Sequence, residues 1–495
     1  MTCRYSLYLN GEFKETSQRQ AVINPATGEM IAEACLAGDE DVNAALSAAR
    51  LAFDQGPWTK ISPGERKDLI LKISQGILDR AAELARLETL NTGKPIKEST
   101  FMDIPSSAQA FSCLANNFER YLKEEALEIK GQAQCRLQRE PVGVVVLIVP
   151  WNYPLLIASW KMASALCAGN TIVLKPSSLT PLTTLELARI IDDAGIPKGV
   201  VNIINASGEK VGRALCADKR VDMISFTGSN EAGRKIAEYS SSYIKKTIME
   251  LGGKSAAVVF KDADLETAAN GLLCSIFLNQ GQMCTAMSRI LVEEDIYDDF
   301  ASIFKEKAKR IKLGPGIDYQ TQMGPLISRG QRDKVIACIE KAKQEGAKIL
   351  CGGNVPQGEQ FKSGFFLEPA VFTEVRADMA VFQEEIFGPV ACICKFSGID
   401  EAAKIANNSS FALAGAIWTK DQKKALDLAE RINAGIIWIN TYGMFYSEAP
   451  YGGFKQSGFG KELGREGFLE YTRLKNTIIS KEQDSRPLVS YWYGF

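Results

Sequence analysis

Cys284 lies in the stretch FLNQGQMCTAMSR, residues 277–289, between a polar glycine turn and a run of small residues. A cysteine acts as a nucleophile when something activates its thiolate or removes a proton near it. The sequence contains no histidine. Cys-His and Ser-His pairs are therefore excluded, and carboxylates and lysines remain as proton carriers. Glu250, in MELGGK at 249–254, is the carboxylate that stands out. Set against these functional readings are a buried inert thiol at Cys284 and a helix or strand-end surface charge at Glu250.

The elements that must hold these residues form two alternating units. From Pro141, the short apolar runs VGVVVLIVP, TIVLKP, GVVNII and VDMISFTG are strands of the kind buried on both faces. Helical segments fall between them at 155–168, 181–195 and 209–218, with another after Ser229. This alternation predicts a doubly wound parallel sheet, which binds ligands at the carboxyl ends of its strands. Asn152, Lys175 and Gly228-Ser229 stand at those ends. Beyond Glu250, strands in SAAVVF, SRILVE, FFLEPAVF, ACICKF and GIIWIN alternate with helices near 264–278, 295–311, 328–345, 399–408 and 420–433, a second α/β domain. Before Pro141, YSLYLNGE reads as a strand ending at an Asn-Gly turn. Ser62-Pro63-Gly64-Glu65 opens a long helix that ends near Thr92-Gly93-Lys94. A second helix around 101–122 is followed by a strand or hairpin through Leu137, and 470–495 reads as a strand and then an aromatic tail.

With 495 residues, two or three domains are expected. A net charge of −1, from 58 basic and 59 acidic residues, argues against nucleic acid or an anionic membrane as the main partner. No apolar run approaches a membrane span, and MTCRYSLYLNGEF lacks the marks of a signal peptide, so a cytoplasmic protein is expected. The twelve cysteines include no C-x-x-C pair. Most are expected to be reduced thiols, and with only Cys392 and Cys394 close together no metal centre is expected.

PWNYP (150–154), LKPS (174–177), FTGS (226–229), ELGGK (250–254), GQMC (281–284), EEIFGP (384–389) and PYGGFKQSGFGKELG (450–464) occur in one order over more than 300 residues. In these motifs the chain resembles the aldehyde dehydrogenase superfamily, and most of all its betaine-aldehyde and aminoaldehyde branch, on PWNYPLLIASWK and the PLVSYWYGF ending. The resemblance implies NAD(P)-dependent oxidation of an aldehyde to the acid. Cys284 attacks the carbonyl, the Asn152 amide and the Cys284 N–H hold the oxyanion, and Glu250 activates the water that hydrolyses the thioester. Lys161 and Glu462 match proton-relay positions, with an ordinary ion pair as the alternative.

For the cofactor, the resemblance assigns Lys175 to the adenosine ribose and Glu385, with Phe387 beside it, to the nicotinamide ribose. Gly228, Ser229 and Gly233 open a helix facing the pyrophosphate, and Trp151 and Leu251 complete the site. NAD-preferring members often carry a glutamate where this chain has Ser178, so NADP is expected to be accepted, alongside NAD. Lys210 is either a partner for the 2′-phosphate or a solvated lysine at a helix start. Tyr153, Trp160 and Tyr451 match aromatic positions that face a trimethylammonium head in the betaine-aldehyde branch. Leu278 replaces the tryptophan of plant members, and Asp103 is retained without a fuller acidic cluster. Such a pocket is expected to prefer neutral aliphatic or aromatic aldehydes over the charged ones, with Phe445 and Tyr446 at its mouth.

The implied architecture has a dinucleotide-binding domain (1–121 and 142–251), a catalytic domain (252–455) and a small β bridging element (122–141 and 470–495) that makes a homodimer or homotetramer. Two rival functions follow from the same fold. A CoA-acylating enzyme generally lacks the base matched by Glu250. A crystallin-like binding protein would have lost the nucleophile or the cofactor lysine.

Overall fold

The computed structural model describes residues 3–130, 132–206, 208–481 and 486–494. An eight-stranded sheet runs in the order Gly458–Phe459, Lys246–Glu250, Met223–Thr227, Val144–Ile148, Thr171–Lys175, Val201–Ile203, Leu7–Leu9, Glu12–Lys14. Its five central strands are parallel, and the outer ones pair antiparallel. The strand order reverses on either side of Val144–Ile148, which creates a crevice at the carboxyl ends where Asn152, Lys175, Gly228 and Glu250 all emerge. Along Val144–Ile148, Val145 and Leu147 enter one core while Val144, Val146 and Ile148 enter the other. Two buried faces explain the unbroken apolar run.

The second sheet has seven strands, Lys348–Cys351, Ala370–Thr373, Val390–Phe396, Arg289–Glu293, Ala256–Val259, Ala414–Trp418 and Ile436–Ile439, all parallel except the first pair. It too is covered on both faces: Ala256 and Val258 pack on one side, Ala257 and Val259 on the other. A three-stranded antiparallel sheet joins Glu125–Ile129, Ala133–Pro141 and Thr472–Ser480. Thr472–Ser480 is its edge, exposed along all but its first residue. Among the described residues, no helix is long and apolar enough to cross a membrane.

Several sequence expectations need correction in detail. The helix expected from Ser62 to Gly93 is two helices, Pro63–Asp79 and Ala81–Thr92, broken at Arg80, whose φ of −106° leaves the helical range. Its start is as read, with the Ser62 side chain accepting from the Glu65 N–H and Glu65 accepting from the Ser62 N–H. The helix around 101–122 begins as a π turn at Ser99–Asp103 before Ile104–Tyr121. Residues 5–12 divide between two sheets: Cys3–Tyr5 pairs with Met30–Cys35, whereas Leu7–Leu9 joins the large sheet. The aromatic tail is helical over Arg486–Tyr493. Gly458–Phe459 lies beyond the boundary expected at 455, and it pairs with Lys246–Glu250 of the first sheet.

Candidate functional site

The helix Leu265–Phe277 ends in a tight turn in which Asn279, Gln280 and Gly281 all take positive φ. Only a turn without a Cβ at Gly281 fits, because a methyl there would meet the Gly388 carbonyl at 2.2 Å. Gln282 pins the following residues by accepting from the Ile327 N–H and donating to the Asn279 carbonyl. Cys284 is thereby presented at the top of the second sheet, across from the strand ends of the first. Glycines explain the close approach of the two halves: a Cβ on Gly253 would lie 2.1 Å from the Cys284 carbonyl oxygen.

Cys284 Sγ is 2.9 Å from the Tyr451 hydroxyl. Burial pushes its thiol up to about 12, against the lowering effect of that hydrogen bond. It opens into a cavity of about 360 Å³ lined by Tyr153, Trp160, Phe445, Tyr446 and Tyr451, with Asp103, Leu156, Met283 and Thr285. Trp160, Phe445 and Tyr451 form a cluster with ring centroids 5.3–6.2 Å apart. The Asp103 carboxylate on this wall is paired with Lys94 at 2.5 Å.

A second cavity of about 360 Å³ lies at the carboxyl ends of the first sheet. It is lined by Trp151, Asn152, Lys175, Ser177, Ser178, Gly228, Ser229, Leu251, Gly252, Lys334, Glu385 and Phe387, and it too reaches Cys284. Ser229 caps the helix Asn230–Ser240 by accepting from the Ala232 N–H. That helix therefore presents its positive end to the cavity. Gly228 and Gly252 leave room along its wall: a Cβ on Gly252 would stand 2.4 Å from a Glu385 oxygen. Glu385 accepts from the Gly253 N–H at 2.9 Å, and burial raises its carboxyl to about 7. Phe387 holds a positive φ and meets the Trp151 ring edge-on at 5.1 Å. Lys175 is lowered to about 8 by burial.

Asn152 donates to the Gln282 carbonyl at 2.9 Å, which leaves its second amide hydrogen for another acceptor. Glu250 ends the strand Lys246–Glu250 and is 3% exposed, and neither carboxylate oxygen has a protein partner. Its carboxyl is held well above the usual range by burial and then by Glu462, against Lys161 and Lys461. The carboxylate rests against Gly452, where a Cβ would meet it at 2.4 Å. Behind it, Lys161 binds Glu462 at 2.6 Å and Ser225 at 2.7 Å, and Tyr471 donates to Ser225 at 2.9 Å. Main-chain hydrogen bonds join Tyr451 to Glu462 in both directions, tying this network to the aromatic cavity.

Three expected residues stand elsewhere. Leu278 lines neither cavity at Cys284; it faces a separate depression with Cys274 and Arg310 because the helix end turns it outward. Lys210 pairs with Asp39 at 2.6 Å on the surface. Gly233 does not line the cavity at the carboxyl ends of the first sheet; its lack of a side chain admits Leu251, which would otherwise be 2.7 Å from a Cβ. The structure also brings in residues that the sequence reading did not assign: Lys94, Asn279, Lys334, Ser225 and Tyr471. Their signal is only three-dimensional, since Lys94 simply follows a helix-ending glycine, Gly93, which has φ 83°.

The α/β scaffold sets the half-buried Cys284 between two cavities at facing sheet ends. The chain belongs to the aldehyde dehydrogenase family, whose model matches residues 13–477. It is 44% identical over 491 residues to the betaine aldehyde dehydrogenase of Bacillus subtilis, covering 99% of each chain. It is 40% identical to human retinaldehyde dehydrogenase 3, covering 97% of this chain and 94% of that one. Among solved structures, betaine aldehyde dehydrogenase from Staphylococcus aureus in complex with NAD+ superposes with a TM-score of 0.95 at 38% identity, covering 99% and 96% of the two chains. The NAD+ complex of an aldehyde dehydrogenase from Bacillus cereus gives 0.94 at 39% identity, covering 97% of each.

Proposed function

We propose that the chain oxidises an aldehyde to its carboxylic acid with NAD, through an acyl thioester on Cys284. The observation that carries this reading is that Cys284 lines both cavities, so one sulfur can hold a carbonyl carbon between a substrate chamber and a dinucleotide chamber. The helix amino terminus at Ser229, the side-chain-free walls at Gly228 and Gly252, and the polar groups of Lys175 and Glu385 fit a dinucleotide. The NAD+ complexes of the two related enzymes support the same assignment.

Cys284 Sγ passes its proton to the Glu250 carboxylate and bonds to the aldehyde carbon, and the resulting oxyanion is received by the Asn152 amide and the Cys284 N–H. The bound dinucleotide supplies a hydride acceptor. Ionised once it has passed that proton on, Glu250 takes a proton from the water that attacks the thioester; the C–S bond breaks, the product acid reprotonates the sulfur and leaves as carboxylate, and Glu250 is left holding the proton from water. Lys161 and Glu462, with Ser225 and Tyr471, form the charged network that receives that proton. Glu385, Phe387 and Trp151 orient the nicotinamide half, while Lys175 holds the adenosine ribose.

Ser178 places no negative charge in the cofactor cavity, which supports use of NADP beside NAD. Lys210 lies outside the cofactor cavity, paired with Asp39 on the surface. The rings of Trp160, Phe445 and Tyr451 supply a face for a quaternary ammonium group, so betaine aldehyde heads the substrate list, followed by amino, aliphatic and aromatic aldehydes. Assaying betaine aldehyde, an aminoaldehyde and benzaldehyde with each dinucleotide tests both points. No acid product from any of them refutes the reading, and rejection of NADP refutes the role of Ser178.

The edge strand Thr472–Ser480, with Leu474, Ile478 and Ile479 exposed, supports a homodimer or a dimer of dimers formed through the bridging sheet of 122–141 and 470–495. A monomer in light scattering refutes this. All twelve cysteines are free thiols, which supports a reducing, cytoplasmic setting.

A further inference from the structure

Lys94 is fully buried, 0% exposed, between the Asp103 wall of one chamber and the Asn152 loop of the other. Its ammonium donates to Asp103 at 2.5 Å and to the main-chain carbonyl of Asn152 at 3.0 Å, and it lies 3.9 Å from the centre of the Tyr153 ring. The same Asn152 carbonyl accepts from the Asn279 side chain at 3.1 Å, which also reaches the Gln282 carbonyl. Asn279 is fixed in turn by its N–H, which Glu98 accepts at 3.0 Å. The peptide carrying Asn152 is thus gripped from one side by a charge and from the other by the turn that presents Cys284. A buried ammonium has three donors to satisfy: Asp103 takes one, with Glu88 and Glu98 also facing the charge, and the Asn152 carbonyl takes another, so the contact that satisfies the lysine also fixes that carbonyl. The carbonyl it reaches belongs to the one residue whose side-chain amide must keep a fixed place beside Cys284.

We propose that Lys94 is a positioning residue of the oxyanion site: held by Asp103, it clamps the Asn152 peptide so that the side-chain amide stays aimed at the reacting carbonyl oxygen. A small displacement of that donor weakens stabilisation of the tetrahedral state without touching the nucleophile. The proposal rests on Asn152 serving as the oxyanion donor, as in the function proposed above.

Acylation of Cys284 by p-nitrophenyl acetate tests it without any dinucleotide. Sγ attacks the ester carbonyl, the C–O bond breaks, and p-nitrophenolate leaves in a burst whose rate reads the oxyanion site. Removing one charge of a buried pair can prevent folding, so Lys94→Met is made alone and together with Asp103→Leu, which removes the partner charge as well. The expected burst rate falls by about 10-fold or more, while iodoacetamide labels Cys284 within about twofold of the wild-type rate and the melting curve of the double variant remains cooperative. In an Asn152→Ala background the same changes are expected to cause no further loss, because Lys94 acts through Asn152. A wild-type burst rate in the folded double variant overturns the proposal, and so does a loss that multiplies with that of Asn152→Ala. Failure of the wild-type protein to oxidise any aldehyde, with a normal ester burst that depends on Lys94, sinks the proposed function and leaves this role standing.

Discussion

Replacing Glu250 by Gln exchanges one carboxylate oxygen for an amide in a site where neither oxygen has a protein partner. Shape is kept and ionisation is removed. The carboxyl of Glu250 is raised by burial above its ordinary value of 4.5, so the folded chain holds that proton to higher pH than the unfolded chain does. Stability from this group is complete below the unfolded carboxylate range and is lost, at up to about 1.4 kcal/mol per pH unit, as pH rises toward the folded pKa. A glutamine at this position carries no such loss. The melting temperature of Glu250→Gln is therefore expected to match wild type in acid and to exceed it increasingly as pH rises. Catalysis moves the other way: loss of the general base lowers turnover by about 10²–10⁴-fold, the first burst of NADH survives, and an acyl adduct on Cys284 accumulates for mass spectrometry. A melting gap that ignores pH would refute the electrostatic reasoning, and undiminished steady-state turnover would refute the assignment of the base.

Cys284→Ser should abolish NADH formation while leaving dinucleotide binding, measured by quenching of the tryptophan fluorescence, within about twofold of wild type. Gly253→Ala brings a methyl to 2.1 Å from the Cys284 carbonyl; a shift of the nucleophile by about 1 Å should cost about 100-fold in kcat/KM with little change in KM for the dinucleotide. Lys161→Met leaves Glu462 buried without its partner and should lower stability by about 3–5 kcal/mol, seen as an early transition in a thermal melt. Ser178→Glu should raise the NAD-to-NADP ratio of kcat/KM by at least about 10-fold, since a carboxylate in that wall repels a 2′-phosphate.

The two α/β units were legible because their central strands are buried on both faces, so apolar runs such as Val144–Ile148 stand out from their surroundings. The cysteine, the glycine pair after Glu250 and the strand-end Asn152 and Lys175 stood out by residue type and chain position, and the fold gathers Cys284, Asn152, Lys175 and Gly252 on one cavity. Local pattern was less informative where tertiary contacts decide. The break at Arg80 interrupts a sequence with unbroken helical periodicity, and Leu278 is turned away by the left-handed residues that follow it. The burial of Lys94 has no local cause at all: its partners come from the helix at Asp103 and the loop at Asn152, which only the folded chain brings to it.

A chain without histidine has, apart from its amino terminus, no side chain that ordinarily titrates near neutrality. Folding creates such groups: burial brings Glu88 and Glu385 up to about 7 and Glu98 up to about 8, and brings Lys175 and Lys254 down to about 8. The buffering power of this protein between pH 7 and 8 is therefore a product of its tertiary structure. Unfolding at pH 7.5 must release protons from the carboxyls and take them up on the lysines, so the heat of unfolding should vary with the ionisation enthalpy of the buffer.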